Sequence, residues 1–377
     1  MHMKKNSLIL CLLFTFFQLA ACTMDVSPPT GVASPSQVAA ASPTDSSSTI
    51  ENSTPASTQS IPITWADLNL TGSLVYSTVS IEDGFGAPRI QALDLSTGRV
   101  RTIFSTTDNG WIYYFCVSPD LQQLVMSYEP PSQTVPQHGT SLYSLAFTEG
   151  AVPEILFTPS SPSERYIQAE WSPDGKYLYF VHYDQNDETI APLIPAYQIS
   201  RMAYPGGQPE KILDHAFWPR VSPDSNKLVY VSIEPETGIN KLFLSNADGG
   251  EPQEIRFSGA PEIIDAPIFS PDGASILFSA PVPEQAYEPG WWDRLLGVKI
   301  ARAHDVPSDW WSVPISGGPA TRLTHLQTIR LFASMSPDNK YLASTSGDGI
   351  LVMGLDGSNV RQLFSDPALS SVVRWIP

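Results

Sequence analysis

From Leu68 onward the hydrophobic positions come in short runs bounded by turn residues, the pattern of strands rather than of long helices. The clearest case is Trp171-Ser172-Pro173-Asp174-Gly175-Lys176-Tyr177-Leu178-Tyr179-Phe180-Val181, a tight turn that opens into an aromatic-aliphatic strand. Proline presets φ at the second turn position, aspartate suits the third and glycine the fourth. The next unit is the best delimited. Strands are expected over residues 227–233, 241–246 and 254–257, with Asp248-Gly249-Gly250 turning between the last two, while Pro267-Ile268-Phe269 leads into the following turn.

The turn recurs as Val117-Ser118-Pro119-Asp120, Val221-Ser222-Pro223-Asp224, Phe269-Ser270-Pro271-Asp272-Gly273 and Met335-Ser336-Pro337-Asp338, with its serines 54, 50, 48 and 66 residues apart. Asp120-Leu121 and Asp224-Ser225 lack the glycine, which leaves their turn type open. Glycine turns give an independent count of six: Ser96-Thr97-Gly98, Thr148-Glu149-Gly150, Pro205-Gly206-Gly207, Asp248-Gly249-Gly250, Ser316-Gly317-Gly318 and Asp356-Gly357-Ser358. The missing sixth Ser-Pro-Asp is explained by a cut in the repeat. Val372-Val373-Arg374-Trp375-Ile376-Pro377 copies the strand before the turn, and Gly72-Ser73-Leu74-Val75-Tyr76-Ser77 copies the strand after it. Strand repeats of roughly 50 residues are the signature of a propeller. The expectation is an all-β, six-bladed β-propeller with four-stranded antiparallel blades, closed by the C-terminal strand pairing with the N-terminal blade, which removes the sheet edges.

Composition fits that picture. Of 377 residues 42% are hydrophobic and 16% charged, with 35 prolines and 24 glycines, as many short strands require. The formal charge of −17 disfavours nucleic acid as a partner, since no basic cluster is present to neutralise phosphates. Residues 1–21 carry Lys4-Lys5 and then an apolar run from Leu8 to Phe17, the pattern of a secretory signal too short to be a lasting membrane span. Its end, Leu19-Ala20-Ala21-Cys22, resembles the bacterial lipoprotein lipobox, which implies cleavage before Cys22 and lipidation of its thiol. The bilayer would then be a partner through acylated Cys22, at a membrane surface facing out of the cytoplasm. Residues 22–64 are rich in Ser, Thr, Pro and Ala and read as a flexible tether, leaving residues 65–377 for the propeller. With Cys11 in the signal and Cys22 lipidated, Cys116 stands alone in an apolar run and reads as a buried, inert thiol.

The repeats resemble the Pro-Asp-type, WD-like propeller repeats of the TolB family, and also the propeller halves of the prolyl oligopeptidases, over residues 68–377. The TolB resemblance implies a non-enzymatic protein that acts through protein contacts. TolB proteins carry an extra N-terminal α/β domain, whereas here the first blade is expected directly after the tether. The oligopeptidase resemblance implies no hydrolysis, because no Gly-x-Ser-x-Gly elbow occurs: Gly139-Thr140-Ser141-Leu142-Tyr143 lacks the second glycine. No phosphate loop, Cys-x-x-Cys pair or His-Glu-x-x-His motif is present, and no cofactor is expected.

In antiparallel blades the Ser-Pro-Asp and glycine turns share one face, so the long segments 129–140, 184–196 and 282–309 share the other, where binding is expected. Oligogalacturonide lyases, which share this repeat style, hold a metal with histidines that line such a face. Here His138, His182, His215, His304 and His325 map to it but come from three blades and need not converge. The insertion in blade five, residues 282–309, can form a short helix with Trp292, Leu295 and Leu296 near one side. Three readings fit it: a lid over the face, an anchor for a partner, or a contact with the membrane interface. Trp291, Trp292, Leu295, Leu296, Trp310, Trp311, His182 and His215 are the candidate partner-binding residues. The functional expectation is a monomeric, lipid-anchored scaffold for a protein or cell-envelope ligand. The alternative is a propeller hydrolase or lyase acting on carbohydrate or peptide at the long-loop face.

Overall fold

Each Ser-Pro-Asp segment folds into the same turn. In blade three the Ser172 N–H donates to the Tyr177 carbonyl (2.8 Å) and the Gly175 N–H to the Ser172 carbonyl (2.9 Å). The Ser172 hydroxyl accepts from the Tyr177 N–H (2.9 Å) and donates to the Asp174 carboxylate (2.7 Å). Ser118, Ser222, Ser270 and Ser336 repeat both side-chain bonds. The fourth position is left-handed whether or not it is glycine: φ is 72° at Gly175 and 68° at Gly273, but also 58° at Leu121, 62° at Ser225 and 60° at Asn339. The serine–aspartate bracket thus holds the turn where glycine is absent, and the turn type left open by Leu121 and Ser225 is the same one.

The computed structural model describes residues 59–82, 85–106, 110–129, 139–184, 196–234, 239–261, 263–282, 306–366 and 369–377. These form six antiparallel four-stranded blades, and a single 3-10 turn, Ala66–Leu68, is the helical element among them. From the axis outward, blade one is Leu369–Ile376, Ser73–Glu82, Phe85–Asp94 and Arg99–Ser105. Blade two is Trp111–Val117, Gln123–Glu129, Ser141–Ala146 and Glu154–Phe157, and blade three Glu164–Trp171, Tyr177–Asp184, Gln198–Ala203 and Glu210–Asp214. Blade four is Ala216–Val221, Lys227–Ile233, Asn240–Asn246 and Gln253–Glu254. Blade five is Asp265–Phe269, Ser275–Pro281, Ser308–Pro314 and Thr321–Arg322, and blade six Ala333–Met335, Tyr341–Ser346, Gly349–Gly354 and Arg361–Ser365. The ring closes as expected: Ser73 pairs with Ile376, Leu74 with Trp375 and Val75 with Arg374.

Two boundaries differ from the sequence expectation. Gln59–Ser60 adds a fifth strand to the outer edge of blade one, and the Ile61 N–H donates to the Gly98 carbonyl (2.8 Å), so the propeller begins before residue 65. Nearby, Trp65 is buried, with its indole N–H on the Leu95 carbonyl (2.8 Å). The strand expected at 254–257 is split. Gln253–Glu254 stays in blade four, and Phe257–Ser258 pairs in parallel with Gly318–Pro319, at the glycine turn of blade five.

Both faces of a blade are covered by its neighbours, so side chains pointing either way are buried. Leu124 to Tyr128 and Ile276 to Pro281 are accordingly buried without interruption. This corrects the expectation for Trp310 and Trp311. They lie in the third strand of blade five, 0% and 4% exposed, and belong to the core rather than to a partner surface. The Trp310 indole N–H donates to the Ser344 hydroxyl of blade six (3.0 Å), and the Arg322 guanidinium lies 6.0 Å from the Trp311 ring. Beside them Asp309, 0% exposed, accepts from Arg322 Nη2 (2.6 Å), the Thr324 hydroxyl (3.1 Å) and the N–H groups of Leu326 and Gln327, which fixes the passage from blade five to blade six.

Candidate functional site

Strand order puts the inner-to-second turns and the third-to-outer turns on one face. The second-to-third and blade-to-blade connections lie on the other, the loop face. The long segments leave and re-enter on the loop face, after Glu129, Asp184 and Pro281. Trp291, Trp292, Leu295 and Leu296 lie outside the described residues, as do Cys22, His138 and His304.

The described part of the loop face has its most exposed aromatic pair where the inner strand of blade two starts. Alternation along that strand buries Ile112 and turns Trp111 and Tyr113 outward, 42% and 36% exposed, with ring centroids 6.5 Å apart. The Tyr113 hydroxyl donates to Glu129 Oε2 (2.8 Å), and Arg165 of blade three reaches Glu129 Oε1 (3.7 Å). Burial, and then the bond to Glu129, push the Tyr113 phenol above its usual range. Two aromatic rings thus stand beside a carboxylate and a guanidinium at the mouth of the propeller.

His182 is adjacent in the fold but committed to structure. Its Nε2 lies 2.6 Å from Glu164 Oε1, and its ring stacks on Tyr166 at 4.6 Å. The other Glu164 oxygen accepts from the Ser160 hydroxyl (2.7 Å) and the Ser160 N–H. Burial is the largest single influence on Glu164 and opposes its ionisation. The Ser160 and His182 bonds together outweigh it and hold the carboxyl below its usual range. His215 turns a corner: its φ is 53°, and its carbonyl accepts from the Ser232 hydroxyl (3.1 Å) and the Ile233 N–H (2.9 Å). His182 is thus held by Glu164 and Tyr166, and the backbone of His215 by the second strand of blade four. Among the described residues no group of three or more His, Cys, Asp or Glu side chains is placed to hold a metal ion.

The axis of the propeller carries two layers that sequence reasoning missed. Four residues before the turn serine, or its equivalent Ile376, the inner strands of blades one to six read Val372, Tyr114, Gln168, Trp218, Ala266 and Phe332. Tyr114 meets Trp218 at 5.3 Å and Phe332 at 6.5 Å, and Trp218 meets Phe332 at 5.5 Å. Rings from three alternate blades can touch one another only on the axis, so they plug the channel. Gln168 braces the plug by accepting from the Trp218 N–H (2.6 Å). Two residues nearer the turn face the same strands read Arg374, Cys116, Glu170, Arg220, Ile268 and Ser334. Here Glu170 Oε2 takes Nη1 of Arg220 and Nη2 of Arg374 (2.8 Å). Cys116 is buried as expected, and burial pushes its thiol far up. These positions were legible in principle by reading the repeats in register, which places two arginines and one glutamate in the same column.

No family model matches the chain. Among solved structures, TolB from Acinetobacter baumannii superposes with a TM-score of 0.58 at 16% identity, covering 81% of this chain and 67% of that one. A putative TolB from Agrobacterium tumefaciens gives 0.53 at 18% identity, over 80% and 99% of the two chains. A chain of a nidogen/laminin complex gives 0.55 at 10% identity, over 80% and 97%. At these identities the likeness is one of fold, and the fold is the six-bladed β-propeller that the TolB proteins also have.

Proposed function

We propose that the chain is a non-enzymatic binding propeller, held outside the cytoplasm by a lipidated Cys22, which as a monomer takes a protein or other cell-envelope ligand on its loop face. The observation that carries this reading is the exposed Trp111–Tyr113 pair beside Glu129 and Arg165. Large aromatics ringed by polar groups are what binding hot spots are made of. Trp291, Trp292, Leu295 and Leu296 of the blade-five insertion are proposed to extend the same surface. A nidogen/laminin complex among the fold's neighbours is a precedent for protein binding. The enzymatic alternative would draw on the paired Glu164 and His182. Glu164 is already committed to Ser160 and His182, which favours the scaffold.

The test is capture of envelope components on the tagged, mature chain. Trp111→Ala with Tyr113→Ala should remove the partners that wild type retains, and deletion of residues 284–308 should weaken their retention. Partners unchanged in the double variant would overturn the loop-face reading. Independently, Cys22→Ala should move the chain from the membrane to the soluble fraction, and continued membrane fractionation would overturn the anchor.

A further inference from the structure

The ion cluster on the turn side of the plug does not balance. Arg220 of blade four and Arg374 of blade one converge on a single oxygen of Glu170 of blade three. Among the described residues no second carboxylate pairs with either guanidinium. The remaining members of the layer cannot supply the missing charge: Ile268 is apolar, the Ser334 hydroxyl accepts from the Trp375 N–H (2.9 Å), and Cys116 is a neutral buried thiol. The other contacts of the arginines are weak. Arg374 Nη1 lies 3.4 Å from its neighbour's carbonyl at Val373, and Arg220 lies 5.9 Å from the Trp218 ring. Two cations and one anion leave one positive charge on side chains that are only 9% and 13% exposed. An uncompensated charge removed from water is expensive, and the usual remedy is a counter-ion. Burial, with Arg374 adding its repulsion against the pull of Glu170, brings the Arg220 guanidinium down to about 10, in keeping with a surplus of positive charge.

We propose that Arg220 and Arg374 form an oxyanion site in the axial channel, open to the turn face and floored by the Tyr114–Trp218–Phe332 plug. The ligand is a carboxylate, sulfate or phosphate group small enough to enter beside Glu170. Guanidinium forks match the paired oxygens of such groups. The site is independent of the loop-face reading, because the plug separates the two ends of the channel.

Thermal unfolding of the mature chain, at 0.15 M ionic strength kept constant with sodium chloride, tests this. Screening at that ionic strength limits the turn aspartates to about 8 Å. Sodium sulfate, sodium phosphate and sodium acetate are titrated separately. A tripeptide with a free C-terminal carboxylate is compared with its amide, which distinguishes a peptide source from a free anion. At least one oxyanion should raise the melting temperature along a saturating curve, as site binding requires. Arg374→Gln leaves a balanced Glu170–Arg220 pair and should weaken that anion at least 10-fold. Glu170→Gln bares both guanidiniums and should enlarge the anion-dependent shift. If the glutamine variant at 170 does not fold without added oxyanion but folds with it, that too supports the site. No saturating shift in wild type with any of these anions, or an unchanged one in Arg374→Gln, would overturn the proposal.

Discussion

The turn aspartates are the simplest residues to account for. Asp174 is held down to about 2, first by the Lys176 ammonium, then by the Ser172 hydroxyl. Its ordinary value lies near 4. A carboxyl depressed in the folded state contributes stability that is present above its unfolded value and lost as pH falls through the folded one, here between about 4 and 2. An NMR titration should place the Asp174 midpoint near 2. Lys176→Met should raise it more than Ser172→Ala does, and the reverse order would contradict the assignment. Asp309 is the buried counterpart. Asp309→Ala removes the buried carboxylate shared by Arg322, Thr324 and two N–H groups, and should cost about 3–5 kcal/mol in urea unfolding. A cost under about 1 kcal/mol would show the bracket to be dispensable. Single residues were also where the sequence misled. Trp310-Trp311 beside a long insertion looks like an exposed aromatic patch, yet a blade is covered on both faces. Adjacent residues pointing in opposite directions are therefore both buried, and alternation cannot distinguish them.

Strands and turns were far more legible, because turn chemistry is local. The Ser-Pro-Asp bracket satisfies itself within six residues, so it marks blades two to six independently of the rest of the chain. The expected strand at 227–233 is the observed Lys227–Ile233. The outer strands were less legible. Phe257–Ser258 leaves blade four for the glycine turn of blade five, a choice made by the neighbouring blade rather than by local sequence. Ring closure is also an element-level claim, and glycines test it. Gly175 has φ 72° with open space around it, whereas a Cβ on Gly72, at φ 81°, would stand 2.2 Å from the Ile376 carbonyl of the closing strand. Gly175→Ala should cost about 1 kcal/mol from backbone strain alone. Gly72→Ala should cost at least about twice that, since the closing strand must also shift, and equal costs would contradict the closure seen between Ser73 and Ile376.

At the scale of the whole molecule, blade count and the sorting of long loops to one face could be read from spacing alone, since antiparallel order dictates which connections share a face. The axial layers could not be read that way. Tyr114, Trp218 and Phe332 are more than a hundred residues apart in sequence and touch only because the ring is closed. The same closure brings Arg374 to Glu170. The exposed Trp111–Tyr113 pair emerges only when burial singles it out from the other aromatics of the chain. The plug lies between the exposed Trp111–Tyr113 pair on the loop face and the Glu170–Arg220–Arg374 cluster on the turn side. Partner binding is proposed for the loop face, and site-specific photo-crosslinking in intact cells measures that assignment directly. A photoreactive residue at Tyr113 should give a discrete higher-mass adduct, and one at Asp272 on the turn face should give none. Adducts from Asp272 with none from Tyr113 would contradict the account.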